Sequence, residues 1–242
     1  MPGNVRIVSE SARKIPLAYR AGSQLGFALR RAVSKAVEER RLGPLAVPIE
    51  RELGDHILAL NTKHSGFPVV LERLQGNWQV VRERAIQRDP SLDGYALDVA
   101  KTETQQLVVD TESLFTMLRS TLDIAVRLTR FVERRLLRLA PQDRSTDSEL
   151  WALPGLQDDQ RQQLIAVRDR FIHEAPPWFE VILAEGSAPD LAILVAREAD
   201  YTTGTGYVLL SQVGALYQAI ETHLDAVEAL LVRRVDGHGK GG

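Results

Sequence analysis

Arg168-Asp169-Arg170-Phe171-Ile172-His173 is the one segment of this 242-residue chain whose residue types and spacing point to specific chemistry. An imidazole that changes charge near neutral pH can take the proton of a ribose 2′-hydroxyl or give one to a leaving oxygen. A guanidinium close by neutralises the charge that grows on phosphoryl oxygens. Such a combination can cleave RNA without a metal ion, with His173 as the candidate general acid or base and Arg168 as the candidate transition-state cation, while the alternative on spacing alone is an ordinary charged pair on a partly exposed helix. Asp169 precedes His173 by four residues, so on a helix the two meet on one face and the carboxylate can orient the ring and favour its charged form. A histidine in the last helical turn also feels the negative end of the helix dipole, and both effects predict a raised pKa.

The spacing alone is weak. With 25 arginines and five histidines among 242 residues, about half an Arg-x4-His pair is expected by chance. The chain holds three. Arg51 and His56 have Gly54 between them, and Arg233 and His238 run into a glycine-rich end. Only Arg168 and His173 sit among Leu164, Ile165, Val167, Phe171 and Ile172, with prolines 176 and 177 just beyond. Five helical residues turn through about 500°, so positions 168 and 173 project about 140° apart and do not share a face. A site that uses both gains from a second copy packed alongside, because two-fold symmetry then supplies two of each group to one cleft.

The stretch Leu164 to Glu174 resembles the signature of the HEPN superfamily, all-helical domains in which arginine, a polar residue, three further residues and histidine lie toward a helix end. Asp169 fills the polar position. Val109-Asp110-Thr111-Glu112-Ser113-Leu114-Phe115, leading into Leu118 to Leu128, is similar to the long early helix of some of these families. The resemblance covers about residues 95–235. It implies an up-and-down helical bundle, a homodimer with a composite site for RNA, and a role as a toxin or defence factor with a protein antitoxin or regulatory partner. Toxins of the family controlled by a partner nucleotidyltransferase carry a tyrosine two residues after the histidine. Here that position is Ala175, so control by nucleotide attachment is not implied.

Composition narrows the classes. The absence of cysteine excludes disulfides, thiol nucleophiles and zinc–thiolate sites, and fits a reducing compartment. The first residues have no apolar run of signal-peptide length, and the longest aliphatic run, Leu191 to Ala196, is too short to span a bilayer, so the expected location is cytoplasmic and off the membrane. The formal charge of -2 gives no global field for nucleic acid, and RNA binding must come from a local patch. Neither a metal nor an organic cofactor is expected.

The elements that must carry the motif read as mainly helical. Leu25, Leu29, Ala32, Val33 and Val37 predict a helix from about Gly22 to Arg41. A second helix is expected from Pro48 to Leu60, a break at Gly66-Phe67-Pro68, and a third from Val69 to Gln87. Arg88 to Gly94 is the clearest punctuation in the N-terminal half, so residues 1–94 are expected to form an N-terminal helical region, packed on the core rather than independent. The glycine- and proline-free stretch from Tyr95 to Ala140 predicts one long helix, broken at most once. A polar connection from Pro141 to Pro154 leads to the motif helix, Leu156 to Glu174. Phe179 to Leu183 and Leu191 to Arg197 predict a small β-hairpin before the last helix. That helix follows Gly204, runs to about Val235, and leaves residues 236–242 as a flexible tail. No internal repeat is visible.

Arg127, Arg130, Arg134 and Arg138 recur at three and four residues, with Arg119 and Arg135 flanking them. Such a ridge either tracks a phosphate backbone or is a solvated face. His56 and His64 fit no standard metal-ligand spacing and read as surface residues. Gly204 and Gly206 read as a loop and helix start, and Trp78, Trp151 and Trp178 as packing residues. Two functions from other classes stay open at this stage: a non-catalytic helical interaction module, and a nucleotide-binding sensor that uses the Arg168 pocket without cleavage.

Overall fold

The computed structural model describes residues 25–87, 101–173, 177–182, 188–195, 200–202 and 204–239, and the side chains at positions 168, 169, 172 and 173 lie outside that description. The expected start of the first helix at Gly22, the punctuation at Arg88 to Gly94, the proline at 176, the hairpin turn at Gly186 and the end of the glycine tail also lie outside it. The described chain is mainly helical, with a small antiparallel sheet. Its helices are α1 (Phe27–Glu38), α2 (Val47–Gln87), α3 (Lys101–Phe131), α4 (Asp147–Trp151), α5 (Asp158–His173) and α6 (Leu210–Gly237). The strands are β1 (Trp178–Ile182), β2 (Asp190–Leu194) and β3 (Tyr207–Leu209).

The long helices alternate in direction. Arg84 bonds Glu103 near one end of α2 and α3, and Arg135, just past α3, bonds Glu52 at the other, so these two run antiparallel. α5 lies on α3, and α6 lies on α1, α3 and the sheet. One apolar cluster runs through α1, α2, α3, α5 and α6, with Leu29, Leu74, Leu114, Ile220 and Leu231 fully buried in it. α1 has no side-chain cap of its own, since its N-cap is Gly26 at φ 85. Glu228 of α6 does that work: its Oε1 accepts from the backbone N–H of Ala28 at 2.9 Å and Leu29 at 3.1 Å. A carboxylate there satisfies orphaned donors and complements the helix dipole.

α2 corrects the expected break. It is a single 41-residue helix with Pro68 inside it. A proline removes one backbone bond, but Leu60, Phe67, Val70 and Leu74 are buried on both sides of it, and Phe67 stacks on Tyr217 of α6 with ring centroids 4.3 Å apart. Packing on that face outweighs the local cost. The outward side carries a signal that the sequence reading missed: exposed Val47, Leu58, Val69 and Val80 recur every 11 residues. Eleven residues make three turns, so one register runs through the proline.

The polar connection after α3 also holds more order than expected. α3 passes into a π-helical turn, Val132–Leu136, which turns Glu133 inward to 1% exposure. Its carboxylate accepts from the Ser145 hydroxyl at 2.6 Å and pairs with Arg234 of α6 at 3.1 Å. Arg234 also donates to the Asp143 carbonyl at 2.8 Å. α4 begins with a capping box, Thr146 and Glu149 exchanging bonds of 3.2 and 2.7 Å.

The expected hairpin exists, with Phe179 opposite Ile193, but it is part of a three-stranded sheet of order β1-β2-β3. β2 is central and its Leu191, Ala192, Ile193 and Leu194 are all buried. The last helix therefore starts at Leu210, directly after β3, rather than just past Gly204.

Gly155 shows what fixes the loop before α5. It has φ 115, and a Cβ there would lie 2.4 Å from the Ala219 carbonyl oxygen and the His223 nitrogen of α6. Both the positive φ and the backbone contact exclude a side chain. Gly155→Ala is expected to destabilise the chain by about 3 kcal/mol in urea unfolding. A loss under 0.5 kcal/mol would mean that the loop does not rest on α6.

Candidate functional site

α5 starts with Asp158 and Asp159 in its first turn, where negative charge suits the dipole, and the Gln160 side chain accepts from the Gln157 N–H at 3.1 Å. Its inner side is set by Leu164 and Val167, both buried, and by Phe171, whose ring meets Phe115 of α3 edge to face at 6.0 Å. At 100° per residue, this register puts position 168 on the flank of the buried stripe and positions 169 and 173 on the side opposite it. The motif thus lies in the last turns of a helix whose other side is packed. The expected Asp169–His173 contact and the raised histidine pKa concern side chains outside the described residues.

The arginine ridge lies elsewhere. Phe171 meets α3 at Phe115, whereas Arg127 is 12 residues further along, about 18 Å at the helical rise. Within one chain the motif and the ridge are therefore apart. The ridge is also interrupted, since the π turn at Val132–Leu136 changes the spacing at Arg134 and Arg138 lies beyond it at φ 52. All four arginines are exposed. Arg130 is already held by Asp147, with Nη2 at 2.6 and 2.9 Å from the two carboxylate oxygens. Arg127, Arg134 and Arg138 have no ion pair among the described residues.

Sequence reasoning missed a cluster closer to the motif. Arg119 of α3 and Arg161 of α5 both lie over the ring of Trp151, at 5.5 and 5.6 Å from its centroid. His223 of α6 stacks on the same indole at 5.9 Å. The available signal was the seven-residue spacing of Arg161 and Arg168, which puts both positions on one helical face. Trp78 is buried as expected, but Trp178 is 62% exposed, so the packing role assigned to it is corrected. Asp110 is buried between α2 and α3, bonded to Arg73 and, at 3.2 Å, to Asn77.

The surface reading of His64 is corrected as well. Its side chain is 11% exposed, stacked on Tyr217 at 5.1 Å, with Nε2 3.3 Å from Glu221 but without hydrogen-bond alignment. His56 lies against Phe131 at 5.4 Å. Among the described residues no three His, Cys, Asp or Glu gather as a metal site. Burial holds His64 below its ordinary 6.5, outweighing the opposing pull of Glu221 and Asp225, and burial lowers His223 likewise. Burial and Glu221 raise the Tyr217 hydroxyl, which therefore stays protonated.

These two histidines predict an acid-sensitive fold. Between their lowered values and the unfolded value near 6.5 the unfolded chain binds more protons, so stability is full above about pH 6.5 and falls as the pH drops below it. The urea midpoint should be lower at pH 5.5 than at pH 7.5. His64→Phe, which keeps a ring on Tyr217, should lessen that fall. An equal fall in the variant would show that His64 does not contribute.

No family model, no curated protein and no solved structure matches this chain.

Proposed function

We propose that the chain is a HEPN-like, metal-independent endoribonuclease, acting as a toxin or defence factor in the cytoplasm, whose site is completed by a second copy. The observation that carries this reading is the register of α5. Leu164 and Val167 commit one side of the helix to the core, which leaves positions 169 and 173 on the other side and 168 at its edge. A second α5 laid on that outer side brings the arginine of one chain to the histidine of its partner. His173 then takes the 2′-hydroxyl proton, the 2′-oxygen bonds to phosphorus, and the bond from phosphorus to the 5′-oxygen breaks. Proton return to that oxygen leaves a 2′,3′-cyclic phosphate and a 5′-hydroxyl end. Arg168 stabilises the charge on the phosphoryl oxygens and Asp169 orients the imidazole. The cleavage needs no cofactor, and a chain with such an activity needs a protein antitoxin or other regulatory partner. Among the described residues no helix is long and apolar enough to cross a membrane.

One observation favours a second reading, a non-catalytic helical interaction module. The outward line of Val47, Leu58, Val69 and Val80 on α2 gives a partner helix an apolar track that RNA cleavage does not use. Turnover separates the two readings. The purified chain should cut single-stranded RNA in chelator, leaving cyclic phosphate ends, and His173→Ala should slow this by roughly 100-fold or more. Equal cutting by the wild type and the variant would assign the activity to another group or a contaminant. No cutting by either would leave the interaction module.

A further inference from the structure

The outward face of α2 carries an 11-residue repeat whose apolar members stay exposed. Val47, Leu58, Val69 and Val80, between 38% and 67% exposed, occupy its first position, and Gly54, Ser65 and Gly76 its eighth. The fourth position holds Glu50, Asn61, Glu72 and Glu83, and the fifth holds Arg51, Thr62, Arg73 and Arg84. At 100° per residue the first and eighth positions lie about 20° apart and make one stripe. The fourth position falls about 50° to one side of its middle and the fifth about 50° to the other. An apolar seam therefore runs between an acidic line and a basic line.

Adjacent residues of a helix do not face each other, so Glu50 does not neutralise Arg51 within its own chain, and the same holds at each repeat. Among the described residues Glu50, Arg51, Glu72 and Glu83 have no ion pair. Arg84 keeps Glu103 and Arg73 keeps Asp110, but the Arg73 side chain is 58% exposed and a guanidinium has five N–H groups to share. Where the acidic line lapses at Asn61, the basic line lapses at Thr62, in the same repeat. The two lines match level by level. Gly76 points the same way, since glycine weakens a helix interior and nothing among the described residues lies within 4 Å of the place its Cβ would take. An approaching backbone would use that gap. At Gly54 the gap is covered by Arg30 of α1, with Nη2 3.1 Å from the Cβ position, so the closest approach is expected from Leu58 onward.

We propose that this face docks a second copy of the chain, the two α2 helices lying parallel and in register. In a pair related by a two-fold axis along the helices, the acidic line of each meets the basic line of the other. Glu50, Glu72 and Glu83 then lie level with the partner's Arg51, the partner's Arg73 and the partner's Arg84, and neutral Asn61 with the partner's Thr62. An antiparallel pair would set acid against acid. One surface thus supplies both halves of the contact, which selects a second copy over an unrelated helix. A strip the length of the 41-residue α2 is about 60 Å long and about 12 Å wide, or about 700 Å² per chain, close to the roughly 800 Å² of a standard interface. Eleven residues take three turns, so the seam winds slightly to the right. The assignment names the partner for the apolar track and uses no residue of α5, so it stands apart from the ribonuclease reading.

The chain has no cysteine, so single introduced cysteines report the pairing. Sedimentation equilibrium of the full chain should show a dimer. Glu72→Lys combined with Glu83→Lys sets like charges across the parallel seam and should weaken that dimer roughly tenfold, and Val69→Lys should weaken it at least as much. Under mild oxidation Leu58→Cys, Val69→Cys and Val80→Cys should each give a disulfide-linked dimer, because in register each position meets its own copy. Gln75→Cys, exposed on α2 but off the seam, should not. Circular dichroism checks the fold of each variant. Linkage through Val69→Cys alone, with Leu58→Cys joining Val80→Cys only in a mixture, overturns the parallel assignment in favour of an antiparallel pair. A dimer in which none of the three positions links and Val69→Lys changes nothing overturns the α2 interface and leaves the α5 pairing of the ribonuclease reading standing. A chain that stays monomeric at about 100 μM overturns both pairings.

Discussion

The contact of α5 with α3 through Leu164, Val167 and Phe171 decides what the rest of the motif helix can do. These side chains are apolar and close-packed, so rotating α5 would expose them and bury polar positions in their place, at a cost of several kcal/mol. The helix is therefore locked in rotation. α3 is fixed in turn because α2, α5 and α6 all pack on it. A motif at the end of such a helix is held by the whole bundle rather than by its own loop.

Charge in this protein serves largely as internal tie. Glu228 caps α1 from α6, buried Glu133 joins the π turn to Ser145 and Arg234, and Asp110 links α3 to Arg73 and Asn77 of α2. Each tie spends a group that a sequence reading would otherwise leave for a ligand. Arg130 and Arg135 are examples, since their partners Asp147 and Glu52 come from other elements. Arg119 differs. Among the described residues its carboxylate partner, Asp123, is four residues away on its own helix, and two of its nitrogens have no acceptor.

Much of the fold was legible because its signals are local and periodic. The apolar stripe from Leu107 to Leu136 announced α3, and the two aliphatic strands were found within a few residues, whereas the capping box at Thr146 and Glu149 was passed over as part of a polar connection. Features set by distant contacts were not legible. Pro68 looked like a stop because the burial of Phe67 against Tyr217 is a tertiary fact. β3 is three residues long and merges with α6, so no alternation marks it. His64 looked solvated because nothing nearby in sequence announces the ring and carboxylates of α6. The motif itself was readable as a pattern, but the distance between it and the arginine ridge depends on where α5 crosses α3. Spacing along one chain does not encode that crossing.

Complementation between two inactive chains probes the proposed shared site most directly. Arg168→Ala and His173→Ala chains, each inactive alone, are mixed under conditions that let subunits exchange, and RNA cleavage is measured in chelator. A site built from the arginine of one subunit and the histidine of its partner predicts that activity returns on mixing, to about a quarter of the wild-type level, since half of the dimers are mixed and each of those keeps one of the two arginine–histidine pairs in the shared cleft. Mixed chains that exchange subunits and stay as inactive as the separate variants would contradict it.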